Sequence, residues 1–83
     1  RITIRETIIL IAQNLREKGR TTFLALLSGK RSRLDIVVTF LAMLELIKRS
    51  YVRAQQSSLF GDINIEPTPT WDDRQDFETE FGE

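Results

Sequence analysis

Between Asp35 and Ile65 the chain runs through a long apolar segment (DIVVTFLAMLELIKRS), a short alternating one (YVRAQQ), and a turn with a return stretch (SSLFGDINI). No other part of the sequence constrains the fold so tightly. Apolar residues dense enough for a buried helix give way at once to period-two alternation, Val52 and Ala54 against Tyr51, Arg53 and Gln55. That change of period predicts a helix from about Leu34 to Arg49, leading straight into the first strand of a hairpin. Ser57 to Asp62 form the turn, and Ile63 and Ile65 share one side of the return strand.

Upstream, Thr3-Ile-Arg-Glu6 matches a capping box, in which two side chains satisfy free amides of a first helical turn. Ile4, Ile8, Ile11 and Leu15, with Ala12, recur at helical spacing behind it, and Lys18-Gly19 is a favourable helix end. Arg20 to Thr22 is short and β-branched, enough for one edge strand. Phe23 to Leu27 reads as a second helix stopped by Ser28-Gly29, and Lys30 to Arg33 as a polar turn with a cap at Ser32. The order is helix, strand, helix, helix, strand, turn, strand, which is the winged-helix arrangement, a helix-turn-helix variant with a β-hairpin attached. The expected class is therefore α+β, mainly α: three helices plus a small antiparallel sheet with a β-hairpin wing, over residues 1–66. Pro67-Thr-Pro69 stops the sheet, because proline cannot donate to the ladder. Residues 67–83 are acidic and poor in aliphatics, and are expected to form a flexible tail.

Eighty-three residues make one small domain. The chain begins at Arg1 and its only methionine is Met43, so it reads as a piece of a longer protein. It contains no cysteine and no histidine. That excludes disulfides, thiol chemistry and the usual zinc sets, and leaves no imidazole as a general base. Glycines 19, 29, 61 and 82 build no phosphate-cradling loop, and Asp72, Asp73 and Asp76 lack the glycine and terminal glutamate of a calcium loop. The chain is not expected to be an enzyme or to carry a cofactor. No apolar run reaches the roughly 20 residues of a membrane helix, no signal-peptide pattern opens the chain, and the lack of cysteine fits a cytosolic protein.

A formal net charge of zero hides a split. Residues 1–56 hold eleven Lys/Arg against four acids, and residues 57–83 hold one against eight, so the two parts carry +7 and −7. Such a chain is either a nucleic-acid surface masked by its own acidic tail or a partner-binding module with ordinary solvated charge. The basic residues are scattered rather than clustered, which favours the second. Trp71, Phe77 and Phe81 among the tail's acids could also form a short docking motif for a basic groove, Phe77 and Phe81 being one helical turn apart.

A DNA-reading third helix needs Arg, Lys, Asn or Gln on its outer face. At about 100° per residue, Leu34, Ile36, Val37, Phe40, Leu41, Met43, Leu44 and Ile47 cover a wide arc, taken as the core face. The opposite arc then carries Asp35, Val38, Thr39, Ala42, Glu45, Leu46 and Arg49, a poor surface for DNA, with Val38, Ala42 and Leu46 as an outer stripe. That stripe packs either on the tail or wing of the same chain, or on a partner. Phosphate contact through Lys30, Arg31 or Arg33 stays open. The hairpin offers an unpaired edge that a partner sheet could extend, and Leu59 and Phe60 at its tip either fold back over the sheet or reach outward.

These same residues resemble the C-terminal winged helix of bacterial segregation and condensation protein A, the kleisin of the SMC–ScpAB complex. The resemblance rests on Val37 to Leu46, on VRAQQ from Val52 to Gln56, and on F-G-D-I from Phe60 to Ile63; it spans about Thr3 to Ile65 and excludes the tail. It implies a non-catalytic part in chromosome condensation and partition, in the bacterial cytoplasm at the nucleoid. It further implies docking of this domain on the ATPase head of an SMC subunit, ScpB bound by other parts of the full chain, and DNA enclosed rather than read. The contacts it implies are Arg53, Gln55, Gln56, Phe60, Gly61, Asp62 and Ile63, to which the helical wheel adds Val38 and Leu46. The alternative is a DNA-binding winged helix with an autoinhibitory acidic tail.

Overall fold

The computed structural model describes residues 3–29, 32–72 and 74–81. In chain order the elements are α1 (Ile4–Lys18), β1 (Thr21–Thr22), α2 (Phe23–Leu27), α3 (Arg33–Lys48), β2 (Val52–Gln56), β3 (Ile63–Pro67) and α4 (Phe77–Phe81). The expected winged-helix-like α+β architecture is present.

Helix boundaries follow the capping chemistry. Thr3 Oγ1 accepts from the Glu6 amide at 3.1 Å, and the Glu6 carboxylate accepts from the Thr3 amide at 3.0 Å, closing both halves of the box. At the other end of α1, Gly19 adopts a left-handed φ of 81° and its amide reaches the Leu15 carbonyl, a conformation in which a Cβ would be strained. Thr22 caps α2 through the Ala25 amide, and Ser32 caps α3 through the Asp35 amide. Each such cap is worth about 1 kcal/mol. In α1 the buried face is Thr7, Ile8, Ile11, Ala12 and Leu15, whereas Ile4 stays exposed beside the cap.

The sheet has the order β1-β3-β2, antiparallel throughout. Thr21 and Ala54 both pair with Ile65, so these three form a row on the core side. Thr22 and Gln55 pair with Asn64, and Arg53 with Glu66, giving an outer side that is wholly polar. The core gathers Ile8, Ile11, Ala12, Leu15, Leu26, Ala42, Met43, Leu46, Val52, Ile65 and Phe77.

Two expectations are corrected here. First, α3 is rotated by half a turn from the wheel assignment. Val38, Thr39, Ala42, Met43 and Leu46 are buried, while Leu34, Ile36, Val37, Phe40, Leu41 and Leu44 are exposed. The outer stripe of Val38 and Leu46 is therefore core. The physical reason is that α3 is apolar all round, so period alone cannot orient it. The buried arc holds the small residues Ala42 and Thr39, and it is this arc that faces the core shared with α1, while the bulkier arc of Leu, Ile and Phe is turned outward.

Second, the expected flexible tail is packed. Phe77 is 3% exposed within the core, and the chain after β3 folds back over α1. Trp71, Phe77 and Phe81 stack in series at 5.2 and 6.0 Å, with Tyr51 edge-on to Trp71 and Phe77. Arg16 lies over the Phe77 ring and donates to the Gln75 carbonyl, and Arg49 lies 4.3 Å from the Phe81 ring centre. Glu80 accepts from Tyr51 Oη at 2.7 Å, from Gln75 and from Arg49. The three aromatics supply the apolar surface that the missing aliphatics do not, and a basic body attracts an acidic strap. A boundary at residue 66 therefore does not divide the packing, and Trp71, Phe77 and Phe81 are engaged within the chain rather than presented to a basic groove. Asp73, from the acidic group noted above, lies outside the described residues.

Two carboxylate contacts, one at the end of α3 and one to the strap, give the fold two pH limits. Arg49 donates to Glu45 at 2.9 Å, and this bond, opposed by desolvation and aided by the charges of Lys48 and Arg49, holds the Glu45 carboxyl below its ordinary 4.5. A depressed carboxyl stabilises above its unfolded value and loses that contribution as pH falls through the lowered one. The Tyr51 phenol is pushed above 10.0, first by its hydrogen bond to Glu80 and then by desolvation. Its contribution is present below 10.0 and is lost as pH rises through the raised value. Melting temperature should fall outside both limits, and Tyr51→Phe should remove the alkaline fall while keeping the ring contacts. An unchanged alkaline limb in that variant would contradict the assignment.

Candidate functional site: an apolar band from the wing to the third helix

The wing turn is built by the F-G-D-I residues, each for a separate reason. Phe60 sits at a left-handed φ of 65° and is 94% exposed, next to Leu59 at 82%. A bulky residue in that conformation is disfavoured by about 1 kcal/mol, and exposure returns nothing for it within the chain. Gly61 follows because a Cβ there would lie 2.6 Å from Ser58 Oγ and 3.2 Å from the Ser58 carbonyl oxygen. Asp62 Oδ1 accepts from the Leu24 amide at 3.1 Å and from the Ile63 amide at 2.8 Å, tying the wing base to the start of α2. Ile63 is partly buried against the core. Gln56 Nε2 donates to the Gly61 carbonyl at 2.7 Å and braces the turn from β2. Replacing Asp62 by alanine should cost about 1 kcal/mol by leaving the Leu24 amide without its acceptor, read as a lower denaturant midpoint at unchanged slope.

From this tip an apolar surface continues across the molecule. Phe60, Gly61, Asp62 and Ile63 share a recess of about 120 Å³ with Phe23 and Leu24 of α2. Phe23 in turn meets Phe40 of α3 edge-on, ring centres 6.2 Å apart. Phe40 stands among Val37, Leu41 and Leu44, all 41–46% exposed, and Leu24 and Leu34 are each 54% exposed. The strap lies across α1 and against Tyr51 and Arg49, on the far side of α3 from this band. Single exposed apolar residues are ordinary, but a continuous run of this length on a small domain marks an interaction surface.

The structure thus separates the residues expected to act together. Phe60, Gly61, Asp62 and Ile63 belong to the wing and the band. Gln56 supports the wing from behind. Arg53 and Gln55 lie on the polar side of the sheet, where Arg53 sits 3.5 Å from Glu66 and Gln55 borders a shallow recess of about 420 Å³ with Lys18, Arg20 and Asn64. Val38 and Leu46 are buried. Leu34, Val37, Phe40, Leu41 and Leu44 were missed, and the only signal for them was side-chain size. β2 is an edge strand, as expected for the hairpin. The outward side of α3 carries no Asn or Gln, and its cations, Arg33 and Lys48, stand at its two ends, so its middle offers base edges little. Of the cations considered for phosphate, Lys30 and Arg31 lie outside the described residues. No helix among the described residues is long and apolar enough to cross a membrane.

Fold and band together define a winged-helix-like α+β domain whose third helix presents an apolar rather than a base-reading face. The sequence profile of the family described as "Segregation and condensation protein ScpA" matches residues 3–68. The chain belongs to the segregation and condensation protein A family. It is 36% identical over 69 residues to segregation and condensation protein A of Myxococcus xanthus, covering 81% of this chain and 24% of that protein. The corresponding Clostridium perfringens protein is 40% identical over 63 residues, 76% of this chain and 25% of its own length. That of Lactococcus lactis subsp. cremoris is 38% identical over 66 residues, with shares of 80% and 27%. The chain spans about a quarter of the length of these curated relatives.

Proposed function

We propose that this domain is a non-catalytic docking module of a chromosome segregation and condensation complex, seated on the ATPase head of an SMC subunit through the band from Phe60 to α3. The observation that carries the reading is the outward apolar face of α3, continuous through Phe23 and Leu24 with an exposed phenylalanine held in a strained turn. Family membership supplies the process, and the resemblance of this segment to the C-terminal winged helix of the family supplies the partner. On this reading the domain closes one end of a protein strap in the bacterial cytoplasm, ScpB is held by other parts of the full-length protein, and DNA is enclosed rather than read.

The test is association of this chain with an isolated SMC ATPase head, measured by calorimetry. Binding at micromolar concentration or tighter is expected, and its absence would sink the proposal. Phe60→Asn keeps a residue tolerant of left-handed backbone, so stability should stay within about 0.5 kcal/mol while affinity drops about tenfold or more. Equal affinity of the two proteins would remove the wing tip from the contact.

A further inference from the structure

The stripe along the middle of the outward face of α3 ends in a cation at each extreme. Arg33, Val37, Phe40, Leu41, Leu44 and Lys48 follow at helical spacing, so that Arg33 opens the stripe and Lys48 closes it. Fifteen residues at 1.5 Å each place the two cations about 22 Å apart along the axis. Both side chains are exposed, and among the described residues neither forms an ion pair. The helix has only two acids, and neither faces this stripe. Asp35 is turned to the Ser32 hydroxyl at 2.6 Å, and Glu45, at the margin near Lys48, is bound by Arg49. Asp62, the nearest acid of the wing, is occupied by two amides. The usual way to settle a lysine or arginine on a helix surface is a carboxylate three or four positions away. Here that position is filled by Val37 for Arg33; for Lys48 it holds Glu45, three residues back, whose carboxylate is already paired with Arg49.

We propose that the surface seated on α3 is an apolar patch flanked at both ends by carboxylates about 22 Å apart along the helix axis, which pair with Arg33 and Lys48 and fix the direction of the helix on its partner. This rests on the docking reading above. The apolar centre supplies the affinity, and the two end pairs set register and speed of encounter, since charges at a contact's rim act mainly on the association rate. A partner lacking either carboxylate could still cover the apolar centre, but could not distinguish the two directions along the stripe.

The experiment measures association rates of this chain with an isolated SMC ATPase head, at low and high ionic strength. Three variants are compared with the unmodified chain: Arg33→Glu with Lys48→Glu, Lys18→Glu with Arg20→Glu, and Leu41→Glu. The first pair should slow association about tenfold at low salt, with the difference fading once the screening length falls to a few ångströms. The second pair changes net charge equally but lies away from the band, and should slow it no more than about twofold. Melting temperatures of both pairs should match the unmodified chain. Equal effects from the two pairs, or none from the first, would overturn the inference. If Leu41→Glu abolishes binding in that case, the docking reading survives without it. No association by the unmodified chain overturns both. Self-association, or binding to anionic vesicles, that disappears with Leu41→Glu would assign the band to another occupant and also overturns the inference.

Discussion

Phe77→Ala leaves this domain largely unfolded at physiological temperature. Among the described residues Phe77 is the one beyond the family-matched segment that is buried in the core, and it is in contact with Trp71, Tyr51 and Phe81 as well as under the Arg16 guanidinium. Truncating a buried phenylalanine costs about 3–5 kcal/mol, and the loss of ring-on-ring geometry adds to it. A domain of this size has a total stability on the order of 5 kcal/mol. The same outcome is expected on removing residues 69–83, and by a margin larger than the alanine variant alone. Chemical denaturation of the three proteins checks this. A midpoint for the truncated chain within experimental error of the full one would show that residues 69–83 are a passive tail.

That segment also shows where the sequence was silent. Counting aliphatics marked residues 67–83 as solvated, because Trp71, Phe77 and Phe81 stand among acids and the one helical spacing, Phe77 to Phe81, does not say what the rings pack on. Their partners are Tyr51, Arg16 and Arg49, twenty or more residues away, and such pairings carry no local signature. The capped helix ends were legible for the opposite reason. Thr3 with Glu6, Ser32 with Asp35, and Lys18 before Gly19 act within one turn, and each boundary fell within a residue or two of its expected place. The hairpin was legible through its alternation and through Asp62, whose neighbours in F-G-D-I determine the turn. The orientation of α3 was not, since a helix apolar on every side gives no preferred face; only the smallness of Ala42 and Thr39 could have indicated the arc turned to the core. The outward side of α3 turned out to hold six large apolar residues in place of Val38 and Leu46.

Leu41→Glu should abolish association with the partner without weakening the fold. Leu41 is 42% exposed at the middle of the band, beside Phe40 and Val37 and far from the strap. A carboxylate on the free domain is solvated there, so the melting temperature should change by less than about 2 °C. Within a closed contact the same carboxylate is stripped of water among apolar groups, and such a burial costs several kcal/mol. Two to four kcal/mol lost from binding corresponds to about 30- to 1,000-fold in affinity. The matched control is Arg53→Glu on the polar side of the sheet, which should alter affinity no more than about threefold. Similar losses from both variants would move the contact from the band to the sheet and wing edge.

The most direct test is to map the contact itself. Methyl and amide NMR spectra of this chain, titrated with an isolated SMC ATPase head, report the contact surface residue by residue. The expected result is that signals of Val37, Leu41, Leu44, Leu24 and the Leu59–Phe60 tip shift or broaden together, while those of α1, the strap and Gln55 stay in place. Shifts confined to Arg53, Gln55 and the β2 edge, or no shifts at high micromolar head concentration, would contradict docking through α3.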